Sequence, residues 1–462
     1  HAAMDLLRQP PQWVDPASAQ SLLTQDAPGD AMYLSLSGRL RAYVRDDDGV
    51  EHMVREMARG QVIGEMSLYT DAPRSATVVA IRDSTLVRLG KAEFTELLAR
   101  SAPVSIALTR QIIERLLTVQ TRSDLARPVT LGLLPVSAGV RVADFAERLA
   151  APLRRIGAVC LVDAEHIDAQ LAQPGLARSA IDDAQANRRI AAYLDGLEAS
   201  HEFVLLLADD TASAWTERCS RRSDELLLLA DAAQTPAVHE IERRFLVGRA
   251  GRSEAAEILV LLHPADKRCP QGTRAWLARR PVSDHVHVRP ELARDMARLA
   301  RLQSRTDVGL VLAGGGARGC AHLGLYRALH ERGIEVDVVG GTSIGAVMAA
   351  LVASDQSPPA VTDIARRAFG VNPTGDYNLL PMLSLIAGKR LRRIVEGAIE
   401  ELVGFDADIE DLWKNYYCVA SNYSQASEFV VQRGRLSKAI RASIAIPGAL
   451  PPVLHDGDLL CD

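Results

Sequence analysis

The sequence predicts a multidomain α/β protein that opens with an all-β region. Three observations lead there. The N-terminal part carries short period-2 segments separated by turn residues, then a long helical pattern. From residue 126, apolar runs of strand length alternate with helix-period segments, the pattern of largely parallel α/β layers. Beyond residue 305, two glycine-rich loops fall where a strand's carboxyl end meets a helix amino end. At 462 residues the chain exceeds one ordinary core. The expected divisions are 1–125, 126–304 and 305–462.

In the first division, residues 31–44 have strand character, and Asp46-Asp47-Asp48-Gly49 is a hairpin turn signal. Segments 61–68 and 71–77 follow, and 91–121 turns helical. In the second division, 129–136 reads as a strand and 142–156 as a helix with Phe145, Leu149 and Leu153 on one face. Residues 158–162 are strand-like, 187–199 helical, and 203–208, 225–230 and 258–262 have buried-strand length. This middle region reads as a Rossmann-like α/β layer. The loop after its first strand, Pro135-Val136-Ser137-Ala138-Gly139-Val140, holds no Gly-Lys-Ser/Thr, so a working NTPase is not expected. Asp209, Asp210 and Asp224 are expected to cap strands or helices rather than bind metal. Trp215 and the Arg221-Arg222 pair read as packing and solvated charge.

In the third division an apolar strand, 308–313, runs into Gly314-Gly315-Gly316-Ala317-Arg318-Gly319 and a helical pattern over 321–331. A second strand, 336–339, runs into Gly340-Gly341-Thr342-Ser343-Ile344-Gly345 and a small-residue helix. Gly341-x-Ser343-x-Gly345 fits a nucleophile elbow, where small neighbours permit a sharp strand-to-helix turn that lifts the serine hydroxyl off the sheet. The glycine loop presents backbone N–H groups that can hold an oxyanion. Gly314-x-Gly316-x-x-Gly319 also fits a dinucleotide fingerprint. That site wants an acid at the end of the second strand, whereas Glu335 and Asp337 stand at its start. The two loops in adjacent strand–helix units therefore favour hydrolase chemistry.

Farther on, Ser357-Pro358-Pro359 reads as a loop, and 379–385 and 391–402 as helices flanking an acyl channel. Residues 416–420 and 428–431 read as strands and 436–442 as a short helix. A serine hydroxyl needs a base within hydrogen-bond reach. Asp456-Gly457-Asp458 has the pattern of a tight hairpin turn, which makes Asp456 a turn residue. Asp462 follows the strand-like Leu459-Leu460-Cys461 and is the favoured base. A Ser-His-Asp triad is the other enzymatic option, with His322, His330 and His455 in the region.

GGGARG followed by GTSIGA resembles the patatin-like phospholipase family, which uses a serine–aspartate dyad. The resemblance implies Ser343 as nucleophile, the loop Gly314, Gly315, Gly316 and Gly319 as oxyanion hole, and Arg318 at the family's basic position. Segment 443–453 matches the family stretch before the catalytic aspartate. The dyad aspartate there opens an Asp-Gly-Gly or Asp-Gly-Ala motif, which cannot be read beyond Asp462. In the first division, Gly64-Glu65-Met66-Ser67-Leu68 through Pro73-Arg74-Ser75-Ala76-Thr77 resembles the phosphate-binding cassette of cyclic-nucleotide-binding domains, and with it their β-roll. The resemblance implies Glu65 on the ribose 2′-hydroxyl and Arg74 on the cyclic phosphate, with Gly64, Ser75 and Ala76 alongside. A guanidinium suits a phosphate and a carboxylate a vicinal hydroxyl. The middle region resembles the linking segment of the neuropathy target esterase branch.

The reading is therefore a lipid esterase, acting on phospholipid or lysophospholipid, that needs no cofactor for catalysis. A cyclic nucleotide, cAMP or cGMP, would regulate it. The alternative is a cyclic-nucleotide sensor whose hydrolase domain is a non-catalytic scaffold. A net charge of −5 gives no reason to expect nucleic acid as a partner. The six cysteines form neither CxxC nor a metal spacing, which suits a reducing compartment and mostly buried thiols. No apolar run reaches the roughly 18 residues of a membrane span. A cytoplasmic protein, peripheral at an inner membrane, is expected, and the excess of Arg over Lys reads as a bacterial gene. The sequence opens on His1 and ends at Asp462, so it is expected to be a piece of a longer chain, its last domain truncated.

Overall fold

The structure, a computed structural model, describes residues 12–46, 48–70, 72–118, 127–247 and 254–462. Asp47, Asp71, the helix end expected at 119–121 and the division at 125–126 lie outside the described residues. The chain forms two compact units. One runs to Ala230 and takes in Val238–Ile258; the other holds Asp231–Ala237 and Leu259–Asp462.

In the first unit, short segments pair as two four-stranded antiparallel sheets. One sheet orders Gln12–Val14, Thr85–Gly90, Ala31–Ser37 and Val62–Ile63; the other orders Ser21–Leu23, Thr77–Ala80, Leu40–Arg45 and Glu51–Met57. The strand run expected at 31–44 is thus two strands that part at Gly38. Its φ is +93°, and a Cβ there would meet Ser84. The inner faces interleave Leu23, Leu40, Met57, Ile63, Val78 and Leu86, which makes this a β-roll core. The single helix expected after it is two, Lys91–Arg100 and Ala102–Thr118. Pro103 accounts for the break: a proline cannot continue the earlier helix but is tolerated in the first turn of the next.

The same unit contains the parallel run Val159–Val162, Phe203–Leu207, Thr130–Pro135 and, but for its last residue, Glu225–Asp231, in that spatial order. Helices Val142–Leu153, Ala184–Ser200 and Ala214–Arg222 accompany it. The central strands are buried along their length, as strands covered on both faces must be. Asp224 caps the start of the strand Thr130–Pro135. It accepts from Val129 N (2.8 Å) and Thr130 N (3.1 Å). Asp209 binds Arg178 and the Ser213 hydroxyl. Trp215 is fully buried and donates to Leu207 O, so its packing role holds, but Arg221 pairs with Asp83 rather than with solvent.

The second unit carries a mixed sheet ordered Gly309–Leu312, Val338–Thr342, Asn415–Asn422, Asp458–Cys461 and Val453–His455. The first three are parallel and the last two antiparallel. Helix Ile344–Ala353 is buried from Gly345 to Ala353, as an apolar all-round helix should be, and forms the centre of the core. Ser357-Pro358-Pro359 is not a loop. It opens the helix Pro358–Phe369, because proline's fixed φ suits a first helical turn. Residues 379–385 are not helical and flank no channel, since Leu379, Leu380, Met382 and Leu383 stand in solvent, whereas 391–402 falls within the helix Lys389–Val403. Pro381 interrupts the leucine run and removes an N–H that a helix would need. A strand the sequence reading missed, Asp284–Val288, and the helix Ala293–Ser304 belong to this unit. His287 Nε2 donates to Glu410 O (2.8 Å), and Arg289 lies 3.8 Å from the Trp413 ring centroid.

Candidate active site

Strand Val338–Thr342 delivers Ser343 to the start of the central helix at φ 53°, ψ −131°, a conformation that strains a residue with a side chain. The surrounding glycines make the turn sterically feasible. A Cβ on Gly345 would sit 2.1 Å from Leu312 O, and one on Gly341 would sit 2.4 Å from the Gly345 backbone. Ser343 Oγ donates to Asp462 Oδ2 at 2.5 Å. Asp462 is steadied by its own N–H, which donates to Ala445 O (3.0 Å). Both side chains are half-buried, so the hydroxyl is reachable from solvent.

One residue that the sequence reading did not single out completes this geometry. Ser443 is fully buried at the end of helix Leu436–Ser443. Its Oγ accepts the Ser343 N–H (2.9 Å) and donates to Val419 O (2.6 Å). No local pattern marks it, because it acts across three elements distant in sequence.

The glycine loop stands over the serine. A Cβ on Gly314 would approach Ser343 Cβ to 3.1 Å. Gly315 and Gly316 have φ of 159° and 57°, and a short 3-10 turn, Gly316–Cys320, follows. No carbonyl of the described chain takes up the N–H groups of Gly315 and Gly316. Arg318 Nε points back to Gly315 O at 3.4 Å, and Gly319 packs against Ile344.

Among the described residues no histidine bonds to Ser343. His322 donates to Ala313 O (2.9 Å) and ties down the loop; His330 lies in the last turn of its helix; His455 stands beside Asp456. Asp456 has φ 48° in the turn before Gly457, with its side chain 92% exposed. The dinucleotide reading finds no acid at the second strand's end. Asp337 is engaged at the strand's start, with Arg301 (2.6 Å) and Val308 N (3.0 Å).

A second site lies in the β-roll. Gly64, Glu65, Arg74, Ser75 and Ala76 line one cavity of about 270 Å³ with Leu23, Val54, Met57 and Ile112. Glu65 and Arg74 are both buried. The Arg74 guanidinium donates to Gly64 O (2.7 Å) and Ala31 O (2.6 Å) and meets Asp30 at 3.3 Å.

Comparison with known proteins matches three family models in succession. A cyclic nucleotide-binding domain covers residues 17–101, a neuropathy target esterase family P-loop like domain 128–310, and patatin-like phospholipase 310–462. The chain belongs to the patatin-like phospholipase family, in its neuropathy target esterase branch. It is 31% identical to patatin-like phospholipase domain-containing protein 7 of Mus musculus over 97% of this chain and 36% of the relative. It is 31% identical to neuropathy target esterase sws of Drosophila sechellia, over 97% and 33%, and to lysophospholipase nte1 of Aspergillus fumigatus, over 98% and 34%. The chain therefore spans about a third of the length of these relatives. They are animal and fungal and lend no support to a bacterial origin. The P-loop like match names a fold; the loop from Val136 to Arg141 has no lysine to hold a nucleotide phosphate. No helix of the described residues is long and apolar enough to cross a membrane. Of the six free cysteines, four are buried, Cys160 is half-buried and Cys320 is exposed.

Proposed function

We propose that the chain hydrolyses acyl esters of phospholipid or lysophospholipid through a Ser343–Asp462 dyad. The 2.5 Å contact from Ser343 Oγ to Asp462 Oδ2, made from a strained elbow beneath a glycine loop, is the observation that carries the reading. Ser343 Oγ attacks the ester carbonyl carbon and its proton passes to Asp462. The C=O electrons move to oxygen, and the N–H groups of the Gly314–Gly316 loop hold that oxyanion. Arg318 and Gly319 fix the loop's shape. The C–O bond to the leaving alcohol then breaks, and Asp462 returns the proton to that oxygen. Water, deprotonated by the same carboxylate, attacks the acyl-enzyme, and the proton goes back to Ser343 as the fatty acid leaves. One carboxylate serves both half-reactions, so no histidine is required.

A cyclic nucleotide, cAMP or cGMP, is the regulator we assign to the β-roll, with Glu65 accepting from the ribose hydroxyl and Arg74 meeting the phosphate. Arg74 Nη2 would exchange its 3.3 Å Asp30 contact for the phosphate while Nη1 stays on Gly64 O. The names of the relatives and the absence of a spanning helix among the described residues fit a peripheral membrane enzyme.

Labelling with a fluorophosphonate, read by peptide mass spectrometry, tests the dyad. The expected result is one adduct on Ser343 that Asp462→Asn abolishes. No adduct on folded protein, together with nucleotide binding that Arg74→Ala removes, would sink the hydrolase reading and leave a nucleotide sensor.

A further inference from the structure

Residues 377–385 leave a contiguous set of large apolar side chains in solvent. Tyr377, Leu379, Leu380, Met382, Leu383 and Leu385 are all exposed, Leu379 at 97% and Met382 at 90%. A cluster of this kind on a soluble surface marks an interaction site. The segment is nevertheless built. Asn378 N donates to Leu385 O (2.9 Å) and Asn378 Nδ2 to Ser384 O (2.9 Å), which pinches the loop at its base. Leu385 N and Ile386 N then donate to Gly448 O (2.8 Å) and Ala449 O (2.9 Å). The polar groups are satisfied at the base while the leucines project.

Two features of its surroundings narrow the partner. The base rests on Gly448 and Ala449, directly after Ser443, which holds Ser343, and Ala445, which holds Asp462. The loop is therefore anchored to the stretch that positions the dyad. On its other side the helix Lys389–Val403 opens with Lys389, Arg390, Arg392 and Arg393, all exposed. Lys389 and Arg393 have no acidic partner among the described residues. An apolar tip flanked by unpaired cations suits an interface of acyl chains and anionic headgroups.

We infer that the 377–385 loop is the element by which this chain docks on an anionic lipid surface. The leucine tip inserts among the acyl chains and the basic helix start lies over the headgroups. The inference rests on the lipid-ester reading above, because a dyad beside this loop would receive its substrate from the same surface.

Flotation with phosphatidylcholine vesicles, with and without phosphatidylserine, tests it on the whole chain. Replacing Leu379, Leu380, Met382 and Leu383 by serine is expected to weaken vesicle partition about 100-fold. Hydrolysis of a water-soluble short-chain ester should stay within about twofold. Lys389→Ala with Arg393→Ala should weaken binding about 10-fold on phosphatidylserine vesicles and leave neutral ones unaffected. Partition unchanged by the serine variant, with soluble-ester hydrolysis intact, would overturn the docking role and spare the hydrolase reading. A serine variant that melts several degrees lower, with vesicle binding unaltered, would show the loop covered by protein and also overturn it. Loop-dependent vesicle binding by a chain that hydrolyses no ester would uphold docking and defeat the hydrolase reading.

Discussion

Ser443→Ala removes a hydroxyl that does not touch substrate yet holds the nucleophile's backbone. In the parent, Ser343 keeps φ at 53° with its N–H on Ser443 Oγ (2.9 Å) and its carbonyl accepting from Ala346 N (2.9 Å). A strained conformation of this type costs about 1–3 kcal/mol and persists only while its surroundings over-determine it. The alanine variant leaves the Ser343 N–H without its partner. Val419 O loses a 2.6 Å bond and keeps a 3.4 Å contact from Thr342 Oγ1. An unsatisfied N–H is worth about 1–3 kcal/mol, and the elbow can recover part of that by shifting its peptide plane. Because that shift moves Oγ off Asp462, kcat should fall about 10- to 100-fold, equivalent to roughly 1.4–2.7 kcal/mol of barrier. KM should hold, since the hydroxyl faces the backbone. Hydrolysis of a soluble chromogenic ester should be measured per active site titrated with fluorophosphonate, so that loss of folded protein is not read as loss of rate. A kcat per titrated site within about twofold of the parent would refute the positioning argument.

Gly345→Ala should abolish both labelling and hydrolysis, because its Cβ would stand 2.1 Å from Leu312 O and the elbow cannot close; a labelled, stable variant would contradict this. Asp462→Asn keeps the shape but cannot accept the serine proton, so kcat/KM should drop by roughly 10²- to 10⁴-fold, while the solvent-facing Asp456→Asn should leave it unchanged. Burial, then the charges of Lys267 and Arg289, pushes the His263 pKa down to about 4. The unfolded chain takes up that proton near pH 6.5, so stability present above that pH is lost as pH falls toward 4, by up to about 3 kcal/mol from this group. Urea midpoints at pH 7.5 and 4.5 check it, and His263→Asn with an undiminished pH slope would contradict it.

Local chemistry made the elbow and the loop legible. Gly341, Gly345 and Gly314 stand where a Cβ would collide with backbone or with Ser343, so the motif spacing records a steric need. The same holds for the β-roll cassette, where Gly64, Glu65, Arg74, Ser75 and Ala76 converge on one cavity. Reading failed where a decision was tertiary. Ser443 is one serine on an ordinary helix until strand Asn415–Asn422 brings Val419 beneath it. The leucine run at 379–385 has helical composition, but Pro381 and the bonds to Gly448 and Ala449 prevail over propensity. Pro358 was misread in the opposite sense, since a proline pair can open a helix as readily as mark a loop. Strand Asp284–Val288 was missed because it is short and its Asp and two His outnumber its two valines. His287 is nonetheless buried, bonded to Glu410 O (2.8 Å) and to the His263 ring (3.0 Å).

The expectation that the Arg221-Arg222 pair was solvated charge fails for a reason that bears on regulation. Arg82 follows the strand Thr77–Ala80, which begins directly after Arg74, Ser75 and Ala76. Its guanidinium is buried against Asp224 (2.6 Å) and Glu198 (2.9 Å) of the α/β layer. Arg39 adds a contact to Asp224 at 3.5 Å and Asp83 one to Arg221 at 3.1 Å. Removing one partner from a buried ion pair costs about 3–5 kcal/mol, because the other charge stays desolvated. The joint between β-roll and layer is therefore stiff. A rearrangement of the cassette around a phosphate would have to strain the joint or carry it along, and that is the physical basis on which a nucleotide in the β-roll could be felt in the layer beside it.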